Sequence, residues 1–136
     1  GPQGNTKGMQ VNILAAVAFG GALGAVGRYL AVSQVARWFD HGFPYGTLTV
    51  NVVGSFAMGL LIEFGALAWS PSPELRAFIA VGFLGAFTTF STFSMETVLL
   101  YERGALLACA GYVAASVVLS VGAFFAALAL VRTLLA

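Results

Sequence analysis

The sequence predicts an all-α membrane protein of four transmembrane helices, the third of them broken. The 136-residue chain is 60% hydrophobic and only 8% charged, whereas soluble domains carry about 25% charged residues. Residues 8–27, 42–62, 77–95 and 104–131 contain no charged side chain, and roughly 20 apolar residues suffice to cross a bilayer. Short turn-forming segments separate these stretches, so one transmembrane domain over residues 9–136 is expected, with no room for a soluble one. Residues 1–8, Gly-rich, polar and preceding Met9, read as an appended remnant outside the fold.

Span 1 is expected from Gln10 to Val35. It runs through Arg28 into further helix, which is not the pattern of a cleaved signal peptide. The sequence Asp40-His41-Gly42-Phe43-Pro44 ends it in a turn. Span 2 is expected from Tyr45 to Ala68 and stops at Ser70-Pro71-Ser72-Pro73. Span 3, from Pro73 to Tyr101, opens with Ser72 as cap, Pro73 in the first helical position and Glu74 at the positive helix end. Glu102-Arg103-Gly104 allows only a tight reversal, so span 4, from Gly104 to Arg132, lies antiparallel beside span 3. Trp38, Tyr45, Trp69 and Tyr101 stand near span ends, at headgroup level.

Small residues recur four apart: Gly20 with Gly24 (and Arg28 next on that face), Ser55 with Gly59, Gly111 with Ala115. Such pairs let helix backbones approach and imply tight packing rather than a site. Polar residues form two further stripes. Thr47, Asn51 and Ser55 follow at four-residue steps in span 2, and Tyr112, Ser116 and Ser120 in span 4, so each set shares a helix face. The stripes serve either a shared polar pathway or interhelical hydrogen bonding.

In span 3, Thr88, Thr89, Ser91, Thr92 and Ser94 stand among Phe87, Phe90 and Phe93, after Gly82 and Gly85. Glycines and β-branched residues weaken a helix, and hydroxyls can replace its backbone bonds, so this segment either breaks or stays an unbroken helix whose hydroxyls fold back on it. A break here survives in a membrane only where protein or a watery cavity satisfies it, and breaks of this kind often expose carbonyls that coordinate cations. Two charges fall inside spans. Arg28 either pairs with Glu96 or a backbone carbonyl or attracts anions in a vestibule; Glu96 is the one acid deep within a span.

Several functions are excluded. A net charge of +1 without a basic run argues against a nucleic-acid partner. One histidine (His41) and one cysteine (Cys109) make no metal centre and no intrachain disulfide, and no nucleophile–base pairing points to an enzyme. Orientation stays open. With the N-terminus inside, Arg76 and Arg132 face one side and Arg37 and Arg103 the other, once Lys7 of the leader is set aside. That two-against-two balance fits either insertion in both orientations or one weakly biased topology.

Taken together, these residues resemble the CrcB/Fluc family of small fluoride channels. Gly20-Gly21-Ala22-Leu23-Gly24-Ala25 with Arg28-Tyr29 is similar to its first-helix motif, and Tyr45-Gly46-Thr47-Leu48 with Asn51 and Gly54-Ser55 to its second. Gly82-Phe83-Leu84-Gly85 and Thr88-Thr89-Phe90-Ser91-Thr92-Phe93-Ser94 resemble the third, with Ala86 and Phe87 where the family pattern has a second glycine and an aliphatic residue. The likeness runs from Asn12 to Leu130. It implies an antiparallel, dual-topology homodimer in the bacterial inner membrane that passes fluoride through two separate pores. It also implies pore-lining roles for Thr47, Asn51, Phe90, Phe93, Ser116 and Ser120, and a structural sodium ion held at the dimer interface by the backbone carbonyls of Gly85 and Thr88. The competing expectation is a small multidrug-type, proton-coupled antiporter, which needs a membrane-embedded carboxylate; its usual place is the first helix, where this chain has Arg28.

Overall fold

The computed structural model describes residues 2–39 and 41–135. Four helical spans account for almost all of them. Helix α1 covers Pro2–Trp38 and α2 covers Tyr45–Leu67. Helix α3 covers residues 73–87, α4 covers Ser91–Glu102 and α5 covers Leu106–Leu135. The spans Lys7–Trp38, Tyr45–Leu67, Pro73–Glu102 and Leu106–Leu135 are each long and apolar enough to cross a membrane. Helix α1 continues back through the leader expected outside the fold. Asp40, expected in the first turn, lies outside the described residues.

The helix ends follow their local chemistry. The Leu75 amide donates to Ser72 Oγ at 3.1 Å, with Pro73 opening the helix as expected. Gly104, expected at the start of the fourth span, instead closes α4. It has φ +81°, its amide donates to the Tyr101 carbonyl, and the Ala105 amide donates to the Leu100 carbonyl, both at 3.0 Å. This is a Schellman closure, which needs a left-handed residue after the cap and therefore favours glycine.

Helix α3 is not a uniform α-helix. After a first turn at Pro73–Arg76 it widens into π-helical turns over Ala77–Leu84 and tightens again at Gly85–Phe87. The chain then leaves the helix, with Thr88 extended at φ −89°, ψ 161°, and restarts at Ser91. The expected break in the third span thus lies at residues 88–90. No sequence signal marks the wide turns, because π-turns are set by packing and eight uniformly apolar residues show no periodicity that would reveal them.

That packing is backbone on backbone. Helix α1 crosses α3, and α2 lies along α5. A β-carbon at Gly20 would run into the Phe78 carbonyl oxygen and one at Gly24 into that of Phe83; one at Gly82 would come 2.8 Å from the Val17 carbonyl oxygen. Gly59 meets α5 in the same way, 2.8 Å from Ala127 Cβ. The third expected pair behaves differently, because a β-carbon at Gly111 meets nothing within 4 Å. Gly111 therefore packs against no other helix among the described residues. Without a hydrophobic drive between helices in lipid, such close contacts are what hold spans together.

Adjacent glycines test this directly. Gly20→Ala forces the α1–α3 crossing apart, whereas a β-carbon at Gly21 comes no nearer than 3.9 Å to the Gly82 carbonyl oxygen. Gly20→Ala should lower stability by about 1–3 kcal/mol or more, as overpacking does, and Gly21→Ala should melt as the parent protein does in detergent. Equal melting of the two variants would contradict the crossing.

Candidate functional site

The break in the third span is also where the polar residues converge. Several of the backbone groups freed there find new partners. In an unbroken helix the Thr89 amide would answer the Gly85 carbonyl; here it donates to Asn51 Oδ1 at 2.8 Å. Asn51 Nδ2 in turn donates to the Thr89 carbonyl at 3.0 Å. One amide side chain on α2 thus replaces both backbone partners of Thr89. The Ala86 carbonyl, which has lost the Phe90 amide to the break, accepts from Arg28 Nε at 3.0 Å. Thr89 Oγ1 accepts the Thr92 amide at 3.2 Å, capping α4. Thr88 Oγ1 folds back onto the Leu84 carbonyl at 2.9 Å, and Ser94 Oγ onto that of Phe90 at 3.0 Å.

Arg28 therefore makes the carbonyl contact and not the alternative pairing with Glu96. Glu96 Oε1 accepts from the Tyr112 hydroxyl at 3.3 Å, and that phenol also hydrogen-bonds the Thr47 side chain. Intramembrane charges are costly unless partnered, and both found partners on other elements.

Beside this network lies a groove of about 440 Å³. Asn51, Phe90, Phe93, Ser116 and Ser120 all line it, together with Gly85 and Thr88. Of the expected pore residues only Thr47 stands apart. It is 1% exposed and faces a separate cavity of about 170 Å³ that also touches His41 and Glu96. Tyr112, fully buried, stands beside Phe93 at a centroid distance of 5.1 Å and edge-on to Phe43 at 5.5 Å.

Two features of the groove are chemically unusual. The hydroxyls of Ser116 and Ser120 are buried and have no hydrogen-bond partner among the described residues. A serine in a membrane helix ordinarily bonds its own preceding turn, and an unmet buried hydroxyl costs about 1–3 kcal/mol. The second feature is an open side: Phe90 is 78% exposed, although it sits 5.6 Å from Phe93 at a 42° tilt, centroid to centroid. Two hydroxyl donors, an amide and two phenyl rings thus face a space that could hold a small anion.

A cation would find different atoms. The i+4 amides that would cover the Gly85 and Thr88 carbonyls, those of Thr89 and Thr92, are bound to Asn51 and to Thr89 Oγ1. Gly85 is exposed and Thr88 half-buried. Neutral carbonyl oxygens suit a hard cation such as sodium, and the described residues contain no cluster of three or more His, Cys, Asp and Glu side chains that would suit another metal. The site residues that sequence reasoning missed are the Thr89 backbone and the Tyr112–Glu96 pair. The signal for Thr89 was available, since an asparagine within a span and a broken backbone each need a partner.

A family model described as "CrcB-like protein, Camphor Resistance (CrcB)" matches residues 15–128. The chain is 57% identical over 126 residues to a protein of Rhodospirillum centenum named "Fluoride-specific ion channel FluC", covering 93% of this chain and all of that one. Proteins of the same name from Agrobacterium fabrum and Nitrobacter winogradskyi are 52% and 45% identical, covering 89% and 93% of this chain and 97% and 100% of theirs.

The replacement bonds at the break make a measurable claim. Asn51→Asp keeps an acceptor for the Thr89 amide but loses the donor to its carbonyl. It should destabilise the protein by about 1–3 kcal/mol, the cost of one stranded buried acceptor. Thermal unfolding in detergent at neutral pH measures this, and an unchanged midpoint would remove Asn51 from the support of the break.

Proposed function

The chain belongs to the CrcB-like family, and we propose that it is a passive, fluoride-selective ion channel of the bacterial inner membrane. The observation that carries this reading is the pair of buried, unpartnered hydroxyls of Ser116 and Ser120 facing a groove edged by Phe90 and Phe93. Fluoride is small and strongly hydrated, and an uncompensated buried ion costs tens of kcal/mol. Hydroxyl donors and the remaining N–H of Asn51 can stand in for its lost water. Phenyl edges carry partial positive charge and tolerate an anion beside them. The relatives' shared name, fluoride-specific ion channel, supports the same substrate.

The antiporter reading has no support. Such a transporter needs a free embedded carboxylate for proton exchange. The first helix offers Arg28, held by the Ala86 carbonyl, and Glu96 is bonded to Tyr112.

A protomer cannot enclose an ion alone, because its groove is open along one side. We take the missing wall to be a second copy of the chain, in antiparallel arrangement. The two-against-two distribution of arginines supports that arrangement. A two-fold contact would also bring two copies of the Gly85 and Thr88 carbonyls together, a set of four neutral oxygens suited to one structural sodium ion. The ion would join the subunits and would not travel with fluoride.

Proteoliposomes loaded with fluoride or chloride test the function. Fluoride efflux should exceed chloride efflux by orders of magnitude. Ser116→Ala should slow fluoride efflux at least tenfold, yet leave stability unchanged or raised, since it removes an unsatisfied hydroxyl. Phe90→Ile and Phe93→Ile should suppress flux in folded protein. Equal fluoride and chloride efflux, or wild-type flux from all three variants, would overturn the reading.

The assembly has its own test. Two lysines added beside Arg76 should bias insertion to one orientation and depress activity, which should return when an oppositely biased copy is co-expressed. Full activity from the biased chain alone would exclude an antiparallel pair.

A further inference from the structure

Away from the groove, the end of the bundle where α2 meets α3 holds a second cavity, of about 240 Å³. Leu61, Ile62, Ala66 and Ala80 give it apolar walls, and Pro71 closes it at the turn. Its one charged lining residue is Arg76. The guanidinium reaches back across the turn to α2, where a β-carbon at Gly65 would lie 3.9 Å from Arg76 Nη2. Among the described residues Arg76 makes no ion pair and no side-chain hydrogen bond, and it is exposed. The other arginine at this end, Arg132, is neutralised by Glu63 at 2.9 Å.

The depth of the cavity is set by its neighbours. It lies within the last turns of α2 and the first turns of α3; two residues before Pro71 in the closing turn comes Trp69, whose ring stands 6.0 Å from that of Phe64. Amphipathic rings at a span end mark the boundary between headgroups and acyl chains. Ile62, on the cavity wall, is half exposed, so this wall reaches the outer surface of the bundle at the height of the acyl chains. An unpaired cation at headgroup level above an apolar recess is complementary to one kind of molecule, which carries negative charge and acyl chain in that order.

We propose that this recess binds an anionic phospholipid, with its phosphate on Arg76 and the upper part of an acyl chain against Ile62, Ala66 and Ala80. Arg76 offers the phosphate a bidentate fork, and Pro71 and Gly65 keep the recess open beneath it. The site is independent of the ion groove and of the fluoride reading.

Trp38 and Trp69 are the only tryptophans, so Trp38→Phe leaves Trp69, two residues before Pro71 of the recess wall, as the reporter. The full-length Trp38→Phe protein is reconstituted in phosphatidylcholine vesicles containing a small fraction of lipid brominated near the top of the acyl chain. Brominated phosphatidylglycerol should quench Trp69 with an apparent affinity about threefold to fivefold above brominated phosphatidylcholine, the preference expected of one well-placed arginine. Arg76→Gln should abolish the preference. Arg132→Gln, which changes the net charge equally at the same end, should retain it. Equal quenching by both lipids overturns the proposal, as does a preference that survives Arg76→Gln. Loss of preference in both arginine variants would assign the effect to diffuse surface charge, and quenching by neither lipid would place protein over the recess; each of these also overturns it.

Discussion

The hydrogen bonds that replace a helix turn at residues 88–90 are the constraint on which the rest of this protein depends. In hydrocarbon, an unsatisfied backbone group costs several kcal/mol, so an interrupted helix needs partners from elsewhere in the protein. The Asn51 side chain and the Arg28 guanidinium supply them from α2 and α1. Both residues are polar within spans, and both are accounted for once the break is seen. Three helices are thereby tied at one depth, and the register between α1, α2 and α3 is fixed with them.

The glycine contacts make those bonds reachable. Gly20 and Gly24 bring α1 against the carbonyls of Phe78 and Phe83, which sets Arg28, on the same face, opposite Ala86. A β-carbon at Gly54 would meet Thr88 Cγ2, so the absence of a side chain there lets the extended residue sit against α2, one turn from Asn51. The π-helical turns belong to the same arrangement, since they rotate Gly85–Phe87 about the helix axis relative to Pro73–Arg76. Small residues therefore build the site indirectly, by deciding which polar groups can meet.

The polar groups left unmet are as informative as those that are satisfied. Two buried serine hydroxyls on α5, in the groove with two phenyl rings, have no partner among the described residues. An unmet hydroxyl lowers stability, so its retention is reasonable where a passing ion uses it. The open side of the groove extends the same logic. An ion path bordered by lipid would lose its solvation, which is the reason for proposing that the wall comes from another copy.

The sequence by itself determined the number of spans, the turns between them and the presence of a break, because these depend on local properties: apolar run length, turn residues, and a cluster of hydroxyls and glycines that weakens a helix. Its motifs also carried the family, and the stripe Asn51–Ser55 and the pair Ser116 and Ser120 were legible from spacing of four. Only the tertiary structure decided which polar residues meet. Spacing could not choose between Glu96 and a carbonyl as the partner of Arg28, nor separate Thr47, which turns toward Glu96 and Tyr112, from Asn51 one helical turn away. It could not show that Gly111 faces outward while Gly20, Gly24 and Gly59 face in. A helical stripe names residues that share a face. Which neighbour that face meets depends on rotation and crossing, and here those were set by backbone contacts between helices distant in sequence.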